Sequence, residues 1–296
     1  MNPQIPANPL AEMISTLDLA KIHNPNSRED IFEGQSQWMP HGRVFGGQVL
    51  AQSLVAASRT IEDRSVHSMH GYFLRPGDIN LPVTFSVDRL RDGRSFSTRR
   101  VQAFQKNEPI FSMIASYQVL DPGLEHQDEF PSDIPDPESL PSAADLMGDN
   151  PHPVAQYWSK ARPFDMRHVP SPIYFKVEGE PVAHQAVWLR SLGELPDNQE
   201  LHTAALAYAS DYSILESIYR RHGIAWSHPG LKSASLDHAM WFHRPARADQ
   251  WMLYVQESPS AQGGRGLAIG KIFSSRGELL ATVAQEGMVR IPELAK

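Results

Sequence analysis

Two stretches, "HSMHGYFLRPGD" (residues 67–78) and "SLDHAMWFHRP" (235–245), carry the same phrase 169 residues apart: "FLRP" at 73–76 lies over "FHRP" at 242–245. Holding that spacing without a gap places Phe104 over Phe273 and Ala115 over Ala284. The strand-like "PIFSMIASYQV" (109–119) then falls on "ELLATVAQEGMV" (278–289). Identity between the copies is low, yet aromatic, Arg-Pro and terminal-strand features stay in register over more than forty residues. The sequence predicts an internal duplication, and the fold follows from what one copy contains.

Each copy has the same internal order. A segment rich in small residues runs into a helical pattern, "FGGQVLAQSLVAASRT" (45–60) in the first copy and "AYASDYSILESIYRRHG" (207–223) in the second. Gly223 is placed to end the latter helix. Period-two alternation follows: Val83, Phe85 and Val87 in one copy, Leu279, Ala281 and Val283 in the other. "RDGRS" (91–95) and "QGGRG" (262–266) read as the turns between those strands. One helix followed by a meander of long strands predicts an α+β unit, with the helix packed on one sheet face. The first copy spans 10–120 and the second 171–292, opened by two strands within 171–196. Between them, 121–170 has another composition. No Lys or Arg occurs from Asn107 to Ser159, and seven prolines fall within 121–153. This predicts an acidic, Pro-rich solvated linker running around the surface.

Composition bounds the function. The 296 residues are 41% hydrophobic and 21% charged, which suits a globular chain with ample core. The first residues lack a basic segment and an apolar run of secretory type, and no apolar run approaches a membrane span. Cysteine is absent, which excludes disulfides, thiolate catalysis and Cys-ligated metals and is compatible with a reducing cytoplasm. A net charge of −7 argues against nonspecific nucleic-acid binding, and an anionic ligand would need local cationic groups.

The second phrase packs Ser235, Asp237, His238 and His243 into nine residues, which raises three readings. On a regular strand Ser235 and Asp237 share one face and His238 the other, so a local Ser-His-Asp triad is not expected. No Gly-x-Ser-x-Gly elbow exists; "GQSQW" (34–38) ends in tryptophan. A metal site fares no better, because His67 and His70 would oppose each other on a strand. "GGRGLAIG" (263–270) lacks the Lys-Ser/Thr of a phosphate loop and reads as a hairpin turn. The telling anomaly is Gln285, an amide on the same face as Leu279, Ala281 and Val283. Buried without partners it would cost roughly 1–3 kcal/mol. Asp211, following Ser210 in the second helical pattern, is either an ordinary cap or a catalytic carboxylate.

These residues resemble the acyl-CoA thioesterase II family, the bacterial thioesterase B type with two hotdog domains in one chain. The matching stretches are "RVFGGQVLAQSL" (43–54), "HSMHGYFLRPGD" (67–78), "LRDGRSFSTRRV" (90–101), "YASDYSIL" (208–215), "SLDHAMWFHRP" (235–245) and "VAQEG" (283–287). The resemblance implies an α+β double-hotdog fold, hydrolysis of fatty acyl-CoA without cofactor or metal, and a homo-oligomer, dimer or tetramer. It assigns the water-holding trio to Asp211, Ser235 and Gln285; serine stands where threonine is common, keeping the hydroxyl but losing a methyl that restricts χ1. At the 169-residue spacing Ser235 meets Val66 and Gln285 meets Ser116, while the helix starts set Gln48 opposite Asp211. The first copy thus lacks all three groups and one site per chain is expected. Asp211 is expected at a helix N-terminus, ionised, with backbone donors for the oxyanion from Gly46, Gly47 and Gln48. The rivals are a hotdog enoyl-CoA hydratase, which needs a histidine beside Asp211, and a non-catalytic acyl-CoA-binding module.

Overall fold

The structure is a computed structural model and describes residues 5–23 and 29–291. The first half runs α1 (Pro9–Leu17), β1 (Ala20–Ile22), β2 (Asp30–Gly34), α2 (Gly46–Ser58), β3 (Ser65–Phe73), β4 (Val83–Asp92), β5 (Phe96–Gln105) and β6 (Glu108–Gln118). After the connecting segment with α3 (Ala143–Met147) and α4 (Pro153–Gln156), the second half runs β7 (Phe164–His168), β8 (His184–Ser191), α5 (Gln199–Ser210) and α6 (Glu216–Arg221). Strands β9 (Lys232–Ser235), β10 (Asp237–Phe242), β11 (Met252–Gln262), β12 (Arg265–Ser274) and β13 (Leu279–Arg290) complete it.

The thirteen described strands form one antiparallel sheet; β9 pairs with β13 off the main path, and the order of the other twelve, β1-β2-β4-β5-β6-β3-β10-β13-β12-β11-β8-β7, reads alike from either end once each strand is matched to its repeat. The centre is the β3–β10 pair, where His70 faces Ala239 and Met69 faces Met240. His70 and Ala239 are 169 residues apart, so the two copies of the opening phrase hydrogen-bond to each other across a pseudo-twofold axis. Period-two alternation then decides the layers. Met69, Met240, Val283 and Val87 are fully buried beneath the helices, whereas Tyr72, Ile114 and Trp241 stay exposed on the opposite face. One hydrophobic cluster joins Leu50 and Leu54 of α2 to Tyr208 of α5 and Met240 of β10, so the halves share a core.

Four expectations change. First, the spacing is not constant. Between the paired Gln105 and Glu108 lie Lys106 and Asn107, both at positive φ, but between the bonded Ser274 and Glu278 lie Ser275, Arg276 and Gly277. The extra residue advances the last strand: His70 faces Ile114 while its equivalent Ala239 faces Ala284, a separation of 170. Gln285 therefore matches Ala115, not Ser116. Second, the second half opens with β7 at 164–168, inside the predicted linker, and 171–183 holds no strand. Third, the helical pattern at 207–223 is broken: α5 starts earlier and ends at Ser210, and α6 resumes at Glu216. Gly223, at φ +64°, does follow the end of α6. Fourth, the linker is exposed over 121–129 but then packs. Phe130 lies against Phe273 and Trp188, and Trp188 Nε1 donates to the Pro135 carbonyl at 3.0 Å. It covers the outer face of β8 and β11, where Ala186 and Leu253 form a small separate core.

"QGGRG" makes a two-residue turn with Gly263 at φ +62° and Gly264 at +74°. That left-handed conformation favours glycine, which accounts for the glycine pair without any phosphate. His67 and His70 do not converge either: His67 Nε2 is 2.8 Å from Ser116 Oγ, while the His70 ring stands edge-on to Trp241.

Candidate active site

Helices α2 and α5 come from different halves and pack side by side and antiparallel, so the start of α2 meets the end of α5, with Phe45 stacked on Tyr212 at 4.5 Å between ring centroids. This meeting point positions Asp211. The residue is the C-cap of α5, so the expected N-terminal placement within its own helix is wrong. A carboxylate there is disfavoured by the dipole of α5. The compensation comes from the other half, because the α2 N-terminus meets Asp211 and the Gly47 amide there lowers the pKa of its carboxyl. Two glycines make the approach possible. A Cβ on Gly46 would stand 2.5 Å from Asp211 Oδ2, and one on Gly47 would stand 2.2 Å from the Tyr208 carbonyl oxygen.

Around Asp211 Oδ1 the three residues singled out by sequence come together. Ser235 Oγ donates to it at 3.2 Å and Gln285 Nε2 donates at 3.0 Å; Gln285 Nε2 also lies 2.9 Å from Ser235 Oγ. Gln285 sits on the inner face of β13, as its alternation requires, and is 1% exposed. Burial dominates the electrostatics: it pushes the Asp211 carboxyl up to about 6, against the lowering donors Gln285, Ser235 and the Gly47 amide. The group is poised near neutrality instead of being firmly ionised, as a helix N-terminus alone would have made it.

Ser235 and His238 were expected on opposite faces, and that expectation fails. Strand β9 pairs Ser235 with Gly287, whereas β10 pairs Ala239 with Ala284. Leu236 and Asp237 lie in the intervening bulge, with Asp237 Oδ1 accepting the Glu286 N–H at 2.7 Å. The bulge changes the parity of the strand, so Ser235 and His238 both point inward. His238 is fully buried, bonded through Nδ1 to Gln285 Oε1 and through Nε2 to Ser210 Oγ at 3.0 Å. Sequence reasoning missed this residue because the alternation rule assumes an unbroken strand.

Asp211 and Ser235 line a cavity of about 730 Å³, with Gly46, Val49, Phe73, Ile110 and Leu215 among its walls. Arg43 and Arg75, also on its walls, are exposed to solvent. The three expected oxyanion donors are not equivalent. The Gly47 amide lies beside the Asp211 carboxylate and lowers its pKa, and the Gln48 amide donates to the Phe45 carbonyl at 3.1 Å. The Gln48 side chain turns away from the cavity: its Oε1 accepts from Gln37 N at 2.9 Å and its Nε2 donates to Gln52 Oε1 at 3.1 Å.

A double-hotdog fold with a carboxylate, a hydroxyl and an amide converging at an apolar cavity defines the class as one of hotdog enzymes acting on acyl thioesters. Comparison with known proteins narrows it. Residues 35–118 match the family described as acyl-CoA thioesterase N-terminal domain, and 159–288 match acyl-CoA thioesterase. The chain is 39% identical to acyl-CoA thioesterase 2 of Haemophilus influenzae, over 96% of this chain and 99% of that one. It is also 39% identical to human acyl-coenzyme A thioesterase 8, over 96% and 92%. Among solved structures, the acyl-CoA thioesterase II TesB2 of Mycobacterium marinum is 42% identical with a TM-score of 0.76, covering 96% of this chain and 99% of its own. The chain belongs to the acyl-CoA thioesterase II family.

Proposed function

We propose that this protein hydrolyses fatty acyl-CoA to free fatty acid and CoA by direct attack of a water held at Asp211. The observation that carries the reading is the contact triangle of Asp211, Ser235 and Gln285 at an apolar cavity. Asp211 accepts a proton from the water as it attacks the thioester carbonyl. Ser235 orients that water from the cavity wall, and Gln285, buried beneath, holds carboxylate and hydroxyl in one geometry. The Gly46 N–H, first of α2, is the donor we assign to the developing oxyanion, in place of the full Gly46–Gln48 set. Thiol release from acyl-CoA by the purified protein tests the activity, and no release above background would refute it.

The remaining organisation belongs to the same proposal. The anionic CoA moiety is met by Arg43 and Arg75 in a protein of net charge −7, as local attraction requires. The working halves are 10–120 and 171–292 joined by 121–170, with β7 assigned to the second because it pairs with β8. One site per chain is expected, since Val66, Ala115 and Gln48 stand where Ser235, Gln285 and Asp211 would be repeated. A homo-oligomer is supported by Tyr72 (63% exposed) and Ile114 (46% exposed) on the outer sheet face. No described helix is long and apolar enough to cross a membrane; the cysteine-free composition suits a reducing cytoplasm. A hydratase is disfavoured, because His238 bonds to the back of Gln285 and not to Asp211.

A further inference from the structure

The cavity-facing residues account for Asp211 and Ser235, but not for the buried histidine behind them. His238 has both ring nitrogens bonded, one to Gln285 Oε1 and one to Ser210 Oγ. An amide oxygen only accepts, so Nδ1 carries the proton and Nε2 is the acceptor. Ser210 Oγ donates to the Ala207 carbonyl at 2.8 Å and lies 3.0 Å from Nε2, so in this tautomer its single proton is shared between the carbonyl and the imidazole. Burial lowers the imidazole to about 4, so the ring stays neutral and the tautomer persists across the physiological range.

The amide of Gln285 has two ends that differ little in shape and are opposite in hydrogen bonding. Its NH2 faces Asp211 Oδ1 and Ser235 Oγ. A flip would aim the oxygen at them and set the NH2 against the Nδ1–H of His238, donor on donor. We propose that His238 is a positioning residue that locks the Gln285 amide so that its NH2 faces Asp211 and Ser235. The inference rests on the catalytic reading of those residues. With the lock removed, the flipped amide pairs with a protonated Asp211, whose O–H then donates to Oε1. The flip thus stores the unproductive form of the base.

The test compares His238→Asn, whose side-chain NH2 can replace the Nδ1 donor, with His238→Ala and His238→Gln. In His238→Ala, kcat should fall about 10- to 100-fold through misplacement while KM changes little, and the acidic limb of the pH profile should move to higher pH. The groups facing Asp211 are Gln285, Ser235, Gly46 and Gly47, and its titratable neighbours Tyr157, Tyr219 and Tyr254 are raised by burial and stay neutral. The limb therefore reports on Asp211. His238→Asn should keep most of kcat, and His238→Ala added to Gln285→Ala should cost nothing further. Equal losses in Asn and Gln variants, or additive losses with Gln285→Ala, would overturn the proposal. Should the alanine variant not fold, imidazole nitrogen NMR of the unmodified protein decides, since an Nε2-protonated His238 excludes the lock. A fully active Gln285→Ala would sink the reading of the site and this inference with it. A crippled Gln285→Ala beside an intact His238→Ala would sink the inference alone.

Discussion

Gln285 Nε2 lies 3.0 Å from Asp211 Oδ1, joining β13 to the end of α5 across 74 residues of chain. Neither element could place these groups alone. The carboxylate is held at the end of a helix whose dipole opposes its charge, and the amide stands in a row of apolar side chains. Each is explained by the other.

Replacing Asp211 by Asn keeps the size of the side chain and removes the proton acceptor. We expect kcat to fall by about 10²–10⁴ with the fold intact, measured by thiol release and circular dichroism. Near-normal turnover would exclude Asp211 as the base.

The same group should set the pH dependence if it is the base. Burial raises Asp211 to about 6, so the base is protonated below that pH and ionised above it. Activity should be lost on the acid side: kcat/KM should fall about tenfold per unit below pH 6 and level off above it. His238, lowered to about 4, adds no second limb in that window. A profile flat down to pH 5 would contradict this.

Ser235 should orient water and form no acyl adduct. Its hydroxyl donates to a carboxylate, and His238, though inward-facing, is bonded to Gln285 and Ser210, so no imidazole activates the serine. Ser235→Thr should keep substantial activity, and Ser235→Ala should lose roughly 10–10³-fold. Rapid-quench mass spectrometry during turnover should find no acyl-Ser235; an adduct forming and decaying at a competent rate would refute direct attack by water.

The two glycines should separate chemistry from stability. Gly46→Ala drives a methyl at Asp211 Oδ2, the end of a side chain, so activity should drop while thermal stability changes little. Gly47→Ala meets the Tyr208 backbone carbonyl, which cannot rotate away, and should cost about 1–3 kcal/mol in denaturant unfolding.

Gln48 gives the complementary control. Its side chain is fully buried in bonds to Gln37 and Gln52, so Gln48→Ala should destabilise by about 1–3 kcal/mol yet leave the folded protein more active than Gln285→Ala. Calorimetry with a tight-binding, non-hydrolysable acyl-CoA analogue should give one site per chain. Two equivalent sites would contradict a degenerate first half.

Much of this protein is legible along the chain. The repeated Arg-Pro phrase, the period-two rows and the glycine turns specify two copies of a helix-and-meander unit, because strand alternation and turn chemistry are local. Gln285 stands out because a buried amide in an apolar row demands partners. Three features depend instead on contacts between distant segments. The single residue added at Ser275–Gly277 moves Gln285 over Ala115, which only strand register reveals. The bulge at Leu236–Asp237 turns His238 inward beside Ser235, and the amide of Glu286 that closes it belongs to another strand. The charge state of Asp211 is set by burial and by the α2 N-terminus of the opposite half, since desolvation and a dipole end act through space. The sequence by itself determined which residues are present and in what repeated order. The tertiary structure decided which of them meet, because hydrogen bonds and desolvation depend on distance in space and not along the chain.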